Sequence, residues 1–208
     1  QQVFPLNLNL PLLYFFEIPY KVNNFKLRHI CVFSTVKLMK LDKSLVLIGM
    51  MGSGKTTIGR EISKKLKIKF VDTDHEIEKK EKMSINEIFK KKGEKYFRQL
   101  EERMTLEIVN QKLSVISIGG GGFVNKKIQK AVLNKCISYW LNWDNNSLIN
   151  RLKNNKNRPI LKDLNESQII ELISNRAKIY EKANYEIICE NLSRKEIVTK
   201  IIKNYENK

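Results

Sequence analysis

The run Gly49-Met50-Met51-Gly52-Ser53-Gly54-Lys55-Thr56 fits G-x-x-x-x-G-K-[ST] at every fixed position. No other feature constrains the fold as much, because such a run works only as the bend between a strand and a helix. Backbone N–H groups converge on phosphate oxygens only where no Cβ stands in the way, so the loop needs glycine. The flanks are right for it. Leu45-Val46-Leu47-Ile48 reads as a short buried strand, and Thr57 to Lys67 has helical spacing with Ile58, Ile62 and Leu66 on one face. The helix N-terminus then points its partial positive charge at the phosphates. Lys55 supplies a point charge for the β- and γ-phosphates, and the Thr56 hydroxyl suits Mg²⁺. A flexible loop matching by chance would lack both flanks.

The same alternation continues along the chain. Apolar runs predict strands at Leu45–Gly49, Lys69–Asp72, Ser114–Ile118, Ile137–Leu141 and Tyr185–Cys189. Ser84 with Glu87 forms a capping box that opens a helix, which Gly93 stops. Further helices are predicted over Glu94–Lys112, Lys126–Asn134, Asn145–Asn154, Ser167–Asn184 and Ser193–Tyr205. Alternating β and α elements predict an α/β fold, a parallel sheet covered on both faces. The 208 residues suffice for one such domain. Asn154-Asn155-Lys156-Asn157 is the one polar low-complexity loop of the body, and Arg158-Pro159 follows it.

Charge narrows the function less than its size suggests. Lys+Arg 39 against Asp+Glu 22 points first to nucleic acid or an anionic membrane. The lysines are scattered among Asn and Glu and form no basic tail or aromatic-interleaved stripe. A solvated surface that attracts small anionic substrates is the better reading. Cys31, Cys136 and Cys189 have no C-x-x-C spacing, and His29 and His75 are too few for a histidine metal site. Reduced thiols in a cytoplasmic protein are expected, with Cys136 and Cys189 in the core and His75 on the surface. Residues 1–38 stand apart, with three of the four prolines, no glycine and a single acid, Glu17. Their apolar stretch, Leu12 to Phe16, is too short to span a bilayer. The expectation is a working protein that begins at Met39, with residues 1–38 as upstream-translated sequence; a targeting peptide is the rival.

Several other residues point to a site. Asp72-Thr73-Asp74 closes the second strand, and in open α/β sheets ligands gather beyond the carboxyl ends of the strands. Carboxylates there serve Mg²⁺ or a substrate hydroxyl, although Asp-Thr-Asp is equally good as a turn or helix cap. Gly119-Gly120-Gly121-Gly122 follows the third strand and lets a ligand press against bare backbone. No Asp ends that strand to serve Mg²⁺, so Asp72 takes the role. Arg98 has Glu101 one helical turn on to orient it. Arg176 lies on a later helix before Tyr180. Arg151 and Arg158 bracket the polar loop, as suits a lid around residues 151–163 that closes on nucleotide.

Taken together these stretches resemble the shikimate kinase family. The matching segments are Gly49–Arg60, Phe70–Asp74, Phe97–Glu101, Ser117–Gly121, Asn157–Leu161 and Arg176–Tyr180, in the family's order, within a domain spanning residues 39–208. The resemblance implies Mg²⁺-dependent transfer of the ATP γ-phosphate to the 3-hydroxyl of shikimate, in aromatic amino acid biosynthesis. It implies that Gly52, Ser53, Gly54, Lys55, Thr56 and Thr57 hold the ATP phosphates, with Thr56 and Asp72 serving one Mg²⁺. Asp74 matches the residue that binds shikimate hydroxyls and acts as base. Arg98 and Arg176 match the pair gripping the shikimate carboxylate, and Gly119, Gly120 and Gly121 the glycines lining it. Arg158 resembles the lid arginine on the phosphates, and Arg151 the one stacking near adenine. The implied fold is of the nucleoside-monophosphate-kinase type, a three-layer α/β phosphate-loop kinase with five parallel strands in the order 2-3-1-4-5. The implied partners are ATP and shikimate, with no nucleic acid or membrane, and the expected state is a cytoplasmic monomer. Gly122 and residues 1–38 depart from the simple family pattern.

Two other readings stand beside this one. Another small kinase with the same loop, acting on gluconate or a nucleotide, would share the sheet and lid. A nucleotide- or nucleic-acid-binding module would need only the basic surface, and would bind polynucleotide with a steep salt dependence.

Overall fold

The computed structural model describes residues 42–153 and 165–207. The expectations for residues 1–38, for Cys31 and for most of the lid segment, Arg158 included, lie outside these described residues.

Five strands form one parallel sheet in the order β2-β3-β1-β4-β5, as expected. The strands are β1 (Ser44–Ile48), β2 (Lys69–Asp72), β3 (Ser114–Ser117), β4 (Cys136–Asn142) and β5 (Tyr185–Ile188). The chain leaves β1 to one side to build β2 and β3, then crosses over for β4 and β5. Ser117 of β3 is level with both Leu47 of β1 and Asp72 of β2. The three segments that follow these strands therefore leave from one rim. They are the phosphate loop, Asp72-Thr73-Asp74 and the glycine run.

Both faces of the sheet are covered because side chains alternate along a strand. Leu45 and Leu47 pack with Ile58 and Ile62 of α1 (Lys55–Leu66) and with Ile197 and Ile201 of α7 (Arg194–Glu206). Val46 and Ile48 point the other way. They meet Ile108 of α3 (Ile85–Val109), Ile128 and Val132 of α4 (Lys126–Lys135), and Tyr180 of α6 (Glu166–Tyr180). Tyr139 of β4, fully buried, donates to Asn204 Oδ1 at 2.8 Å and so ties α7 to the sheet.

Local sequence sets most helix starts. Ser84, Asn165 and Ser193 cap α3, α6 and α7, each in a complete capping box. Gly93, at φ 80°, breaks α3 where a stop is expected. One helix, α2 (Thr73–Glu81), is absent from the sequence expectation. It buries only Thr73 and Ile77, which leaves no apolar period to read. Its signal lies in the cap: Asp72 Oδ1 accepts from the N–H groups of Asp74 (3.1 Å) and His75 (3.4 Å). The cap and site readings of Asp72 thus describe the same side chain.

Cys136 and Cys189 are buried, as expected, and His75 is exposed. Burial pushes the thiols up, to about 11 for Cys136 and about 12 for Cys189. At pH 8 their thiolate fraction is about 10⁻³ or less. Iodoacetamide at pH 8 is therefore expected to leave both unlabelled in the folded protein and to label both in urea; tryptic peptide mapping reads the result.

Among the described residues no helix is long and apolar enough to cross a membrane.

Candidate active site

The phosphate loop joins β1 to α1. Gly54, at φ 90°, is the N-cap of α1 and offers no capping side chain. A left-handed turn at this point is open to glycine at little cost, and it leaves the first N–H groups of the helix facing the rim. Lys55 is buried, and its Nζ donates to the carbonyls of Gly49 and Met50, each at 2.9 Å. The ammonium thus sits within the curve of the loop. Ser53 N–H closes a turn onto Met50 O at 3.1 Å. Thr56, in the first turn of α1, donates through Oγ1 to Asp72 Oδ2 at 2.7 Å.

The end of β2 is stapled to the glycine run. Gly119 N–H donates to Thr73 Oγ1 at 3.1 Å. The Asp74 carboxylate lies over Gly119, where an added Cβ would come within 2.4 Å of Asp74 Oδ1 and 3.0 Å of Glu101 Oε1. Arg98 lies over Gly121, where a Cβ would approach its Nη1 to 2.5 Å. Arg176, buried on α6, comes within 3.5 Å of the Cβ position at Gly120 and contacts Met50 Sδ at 3.7 Å. Tyr180, one turn further, donates to Gly120 O. Burial pushes its phenol up to about 12, so it donates as a neutral hydroxyl at working pH.

Arg98 is held as the i, i+3 spacing predicts, with Nη1 on Glu101 Oε2 at 2.8 Å and two further bonds to Glu94 Oε1 at 3.1 Å. Burial works against the guanidinium charge, but Glu101 and Glu94 more than offset it and raise the Arg98 pKa. Glu101 is itself buried. Burial pushes its carboxyl above the ordinary range, Arg98 pulls it back, and nearby Asp74 pushes it up again.

One cavity of about 350 Å³ is lined by Thr56, Asp72, Asp74, Arg98, Glu101 and Gly119 to Gly121 among others. It opens on carboxylates, a guanidinium and bare backbone beside a phosphate loop. That surface suits a small polyhydroxylated anion. A second cavity of about 240 Å³ also borders the loop, lined by Ser53, Gly54, Thr57, Trp143, Arg151 and Arg194 among others. Arg151 on α5 (Asn145–Lys153) reaches Gly52 O at 3.5 Å.

The Thr56 and Asp72 oxygens are hard donors at the loop's mouth. Among the described residues no three His, Cys, Asp or Glu side chains form a metal cage. A hydroxyl and a carboxylate alone fit Mg²⁺, which keeps waters and phosphate oxygens as its other ligands.

The structure brings Gly52 to Thr57, Asp72, Asp74, Arg98, Arg176 and the glycine run to one rim, and sets Arg151 against Gly52 of the loop. Glu101, Thr73, Tyr180 and Trp143 are additions to the expected set. Thr73, Glu101 and Tyr180 lie in the segments that carry the family resemblance, Glu101 as the partner of Arg98, while Trp143 carries no sequence signal.

A five-stranded parallel sheet in this order, with a phosphate loop at the end of its central strand and a polar acceptor cavity beside it, defines a phosphate-loop phosphotransferase for a small substrate. Residues 51–206 match the family described as Shikimate kinase. A shikimate kinase of Thermodesulfovibrio yellowstonii is 43% identical over 165 residues, covering 79% of this chain and 95% of that protein. One from Sulfurihydrogenibium is 41% identical, covering 77% of this chain and 96% of that one. The solved shikimate kinase of Acinetobacter baumannii, in complex with shikimate, superposes with a TM-score of 0.74 at 32% identity, covering 78% of this chain and 92% of that one. The chain belongs to the shikimate kinase family, ATP-dependent phosphotransferases acting on an alcohol group. This membership favours shikimate over the gluconate kinase alternative.

Proposed function

We propose that the protein phosphorylates the 3-hydroxyl of shikimate with ATP, through the residues gathered at the rim. The observation that carries this reading is the continuity of the two sites. Thr56 of the phosphate loop bonds directly to Asp72, and Asp74 lies two residues on, over the glycine run. A terminal phosphate on the loop and a hydroxyl at Asp74 are then neighbours.

Arg98 and Arg176 approach the glycine run at Gly121 and Gly120 and grip the substrate carboxylate. Gly119, Gly120 and Gly121 let the ring lie against backbone. Asp74 accepts the proton of the attacking hydroxyl. Gly52 to Thr57 hold the ATP phosphates, Lys55 their developing charge, and Arg151 the nucleotide. Arg158 is proposed as the lid arginine on the phosphates. Thr56 and Asp72 would hold one Mg²⁺, which when bound neutralises charge on the phosphates. Phosphoryl transfer needs little covalent chemistry from the protein, so fixed positions and local charge account for most of the rate. The net charge of +17 draws both anionic substrates to the rim. A cytoplasmic monomer that binds no nucleic acid completes the reading.

A coupled assay across shikimate, gluconate and nucleoside monophosphates tests the substrate. Shikimate should turn over best, and faster turnover of any other acceptor refutes the assignment. Arg98→Ala and Arg176→Ala should each raise the KM for shikimate by about tenfold to a hundredfold, the scale of a lost charge-assisted hydrogen bond. The KM for ATP should stay near the parent value. Should ATP binding weaken instead, the carboxylate grip is misassigned.

A further inference from the structure

We propose that Trp143 is a positioning residue for the nucleotide: it holds the Arg151 guanidinium flat against its indole and ties it to the phosphate loop. Trp143 directly follows β4, and Arg151 lies two turns into α5. The Arg151 Cζ sits 3.6 Å from the centroid of the Trp143 ring, in van der Waals contact with its face. Trp143 Nε1 donates to Ser53 O at 3.0 Å, and Arg151 Nη1 donates to Gly52 O at 3.5 Å. The stacked pair is thus anchored to consecutive carbonyls of the phosphate loop.

The indole is fixed from below. It packs against the core under α1 and α7, and also against the cluster of Met50, Met51, Leu148, Ile149 and Leu152. Arg151 itself is exposed. An exposed arginine gives up its rotamer freedom when it binds a ligand, and that loss weakens binding. With an aromatic face beneath it and a loop carbonyl at its tip, most of that freedom is gone beforehand. Both residues line the cavity next to Ser53, Gly54 and Thr57. A base entering there extends the stack to indole, guanidinium and purine. A purely space-filling aromatic needs neither the Nε1 bond nor the cation on its face.

This inference rests on the proposed contact of Arg151 with the nucleotide, and kinetics on the full chain separate the two. Trp143→Ala should raise the KM for ATP about tenfold and leave the KM for shikimate within about twofold. Trp143→Phe keeps a ring face without the N–H, and should raise the KM for ATP only about threefold. Adding Trp143→Ala to Arg151→Ala should change it by no more than about twofold, because one interaction is lost only once. If Arg151→Ala leaves the KM for ATP unchanged, the nucleotide contact fails and this inference falls with it. If Arg151→Ala raises that KM and Trp143→Ala does not, only the role of Trp143 falls. A parallel rise in both KM values, or full additivity in the double variant, marks a structural role and overturns it. Fluorescence gives a readout that survives poor folding of Trp143→Ala. The chain has two tryptophans, so Trp140→Phe leaves Trp143 as the sole emitter. Its emission should shift on titration with ADP, and that of Trp143→Phe should not. A shift that persists in Trp143→Phe, or is missing in Trp140→Phe, refutes the proposal.

Discussion

Asp74→Asn should lower kcat by about 10² or more, the scale of a lost general base, with the KM for ATP little changed. Asn keeps the shape and hydrogen-bonding reach of Asp and loses only the charge and the ability to take a proton. The fold should therefore persist, because the cap of α2 is made by Asp72 and not by Asp74. Gly119→Ala offers an independent route to the same defect. Its methyl would come within 2.4 Å of Asp74 Oδ1, so the carboxylate must move. A displacement of about 1 Å costs on the order of 10² in rate when geometry is the source of catalysis. Single-turnover measurement with both substrates saturating reads both variants. Near-normal turnover in Asp74→Asn would remove the base role and leave Asp74 as a binding group only.

Lys55→Ala should likewise cut kcat by about 10² or more, the usual loss when a charge-stabilising donor is removed. Here the structure adds a second consequence. The Lys55 ammonium holds the carbonyls of Gly49 and Met50, so its removal also loosens the loop. Lys55→Ala should therefore raise the KM for ATP, in contrast to Asp74→Asn. The KM for shikimate should change little, since Arg98 and the glycine run have their own supports at Glu94, Glu101 and Thr73. Activity within tenfold of the parent protein would show that the point charge at this position is dispensable.

Much of the site is local chemistry and was readable as such. Glycine spacing, the strand before it and the helix after it specify the phosphate loop within about twenty residues. The Arg98–Glu101 pair follows from helical spacing alone. Asp72 is ambiguous in sequence between cap and site; in the fold its Oδ1 caps α2 and its Oδ2 accepts from Thr56 of the phosphate loop. Helix α2 was not readable, because its single buried apolar residue, Ile77, makes no period. Trp143 and Tyr180 have no role assigned from the sequence. Their partners Ser53 O and Gly120 O lie 90 and 60 residues away, and both are backbone atoms, which carry no residue-type signal.

The amino-acid order by itself determined the sheet's class, the phosphate loop, the helix caps and the residue types available for catalysis. All of these depend on neighbours within a few turns or on side-chain alternation along one strand. Only the tertiary structure decided that Asp74 lies over Gly119, Arg98 over Gly121 and Arg176 beside Gly120. The arginines arrive on α3 and α6, and the Asp74 contact follows from Ser117 being level with both Leu47 and Asp72. That register is set by how three strands bury their apolar faces together, and no single segment of the chain contains it.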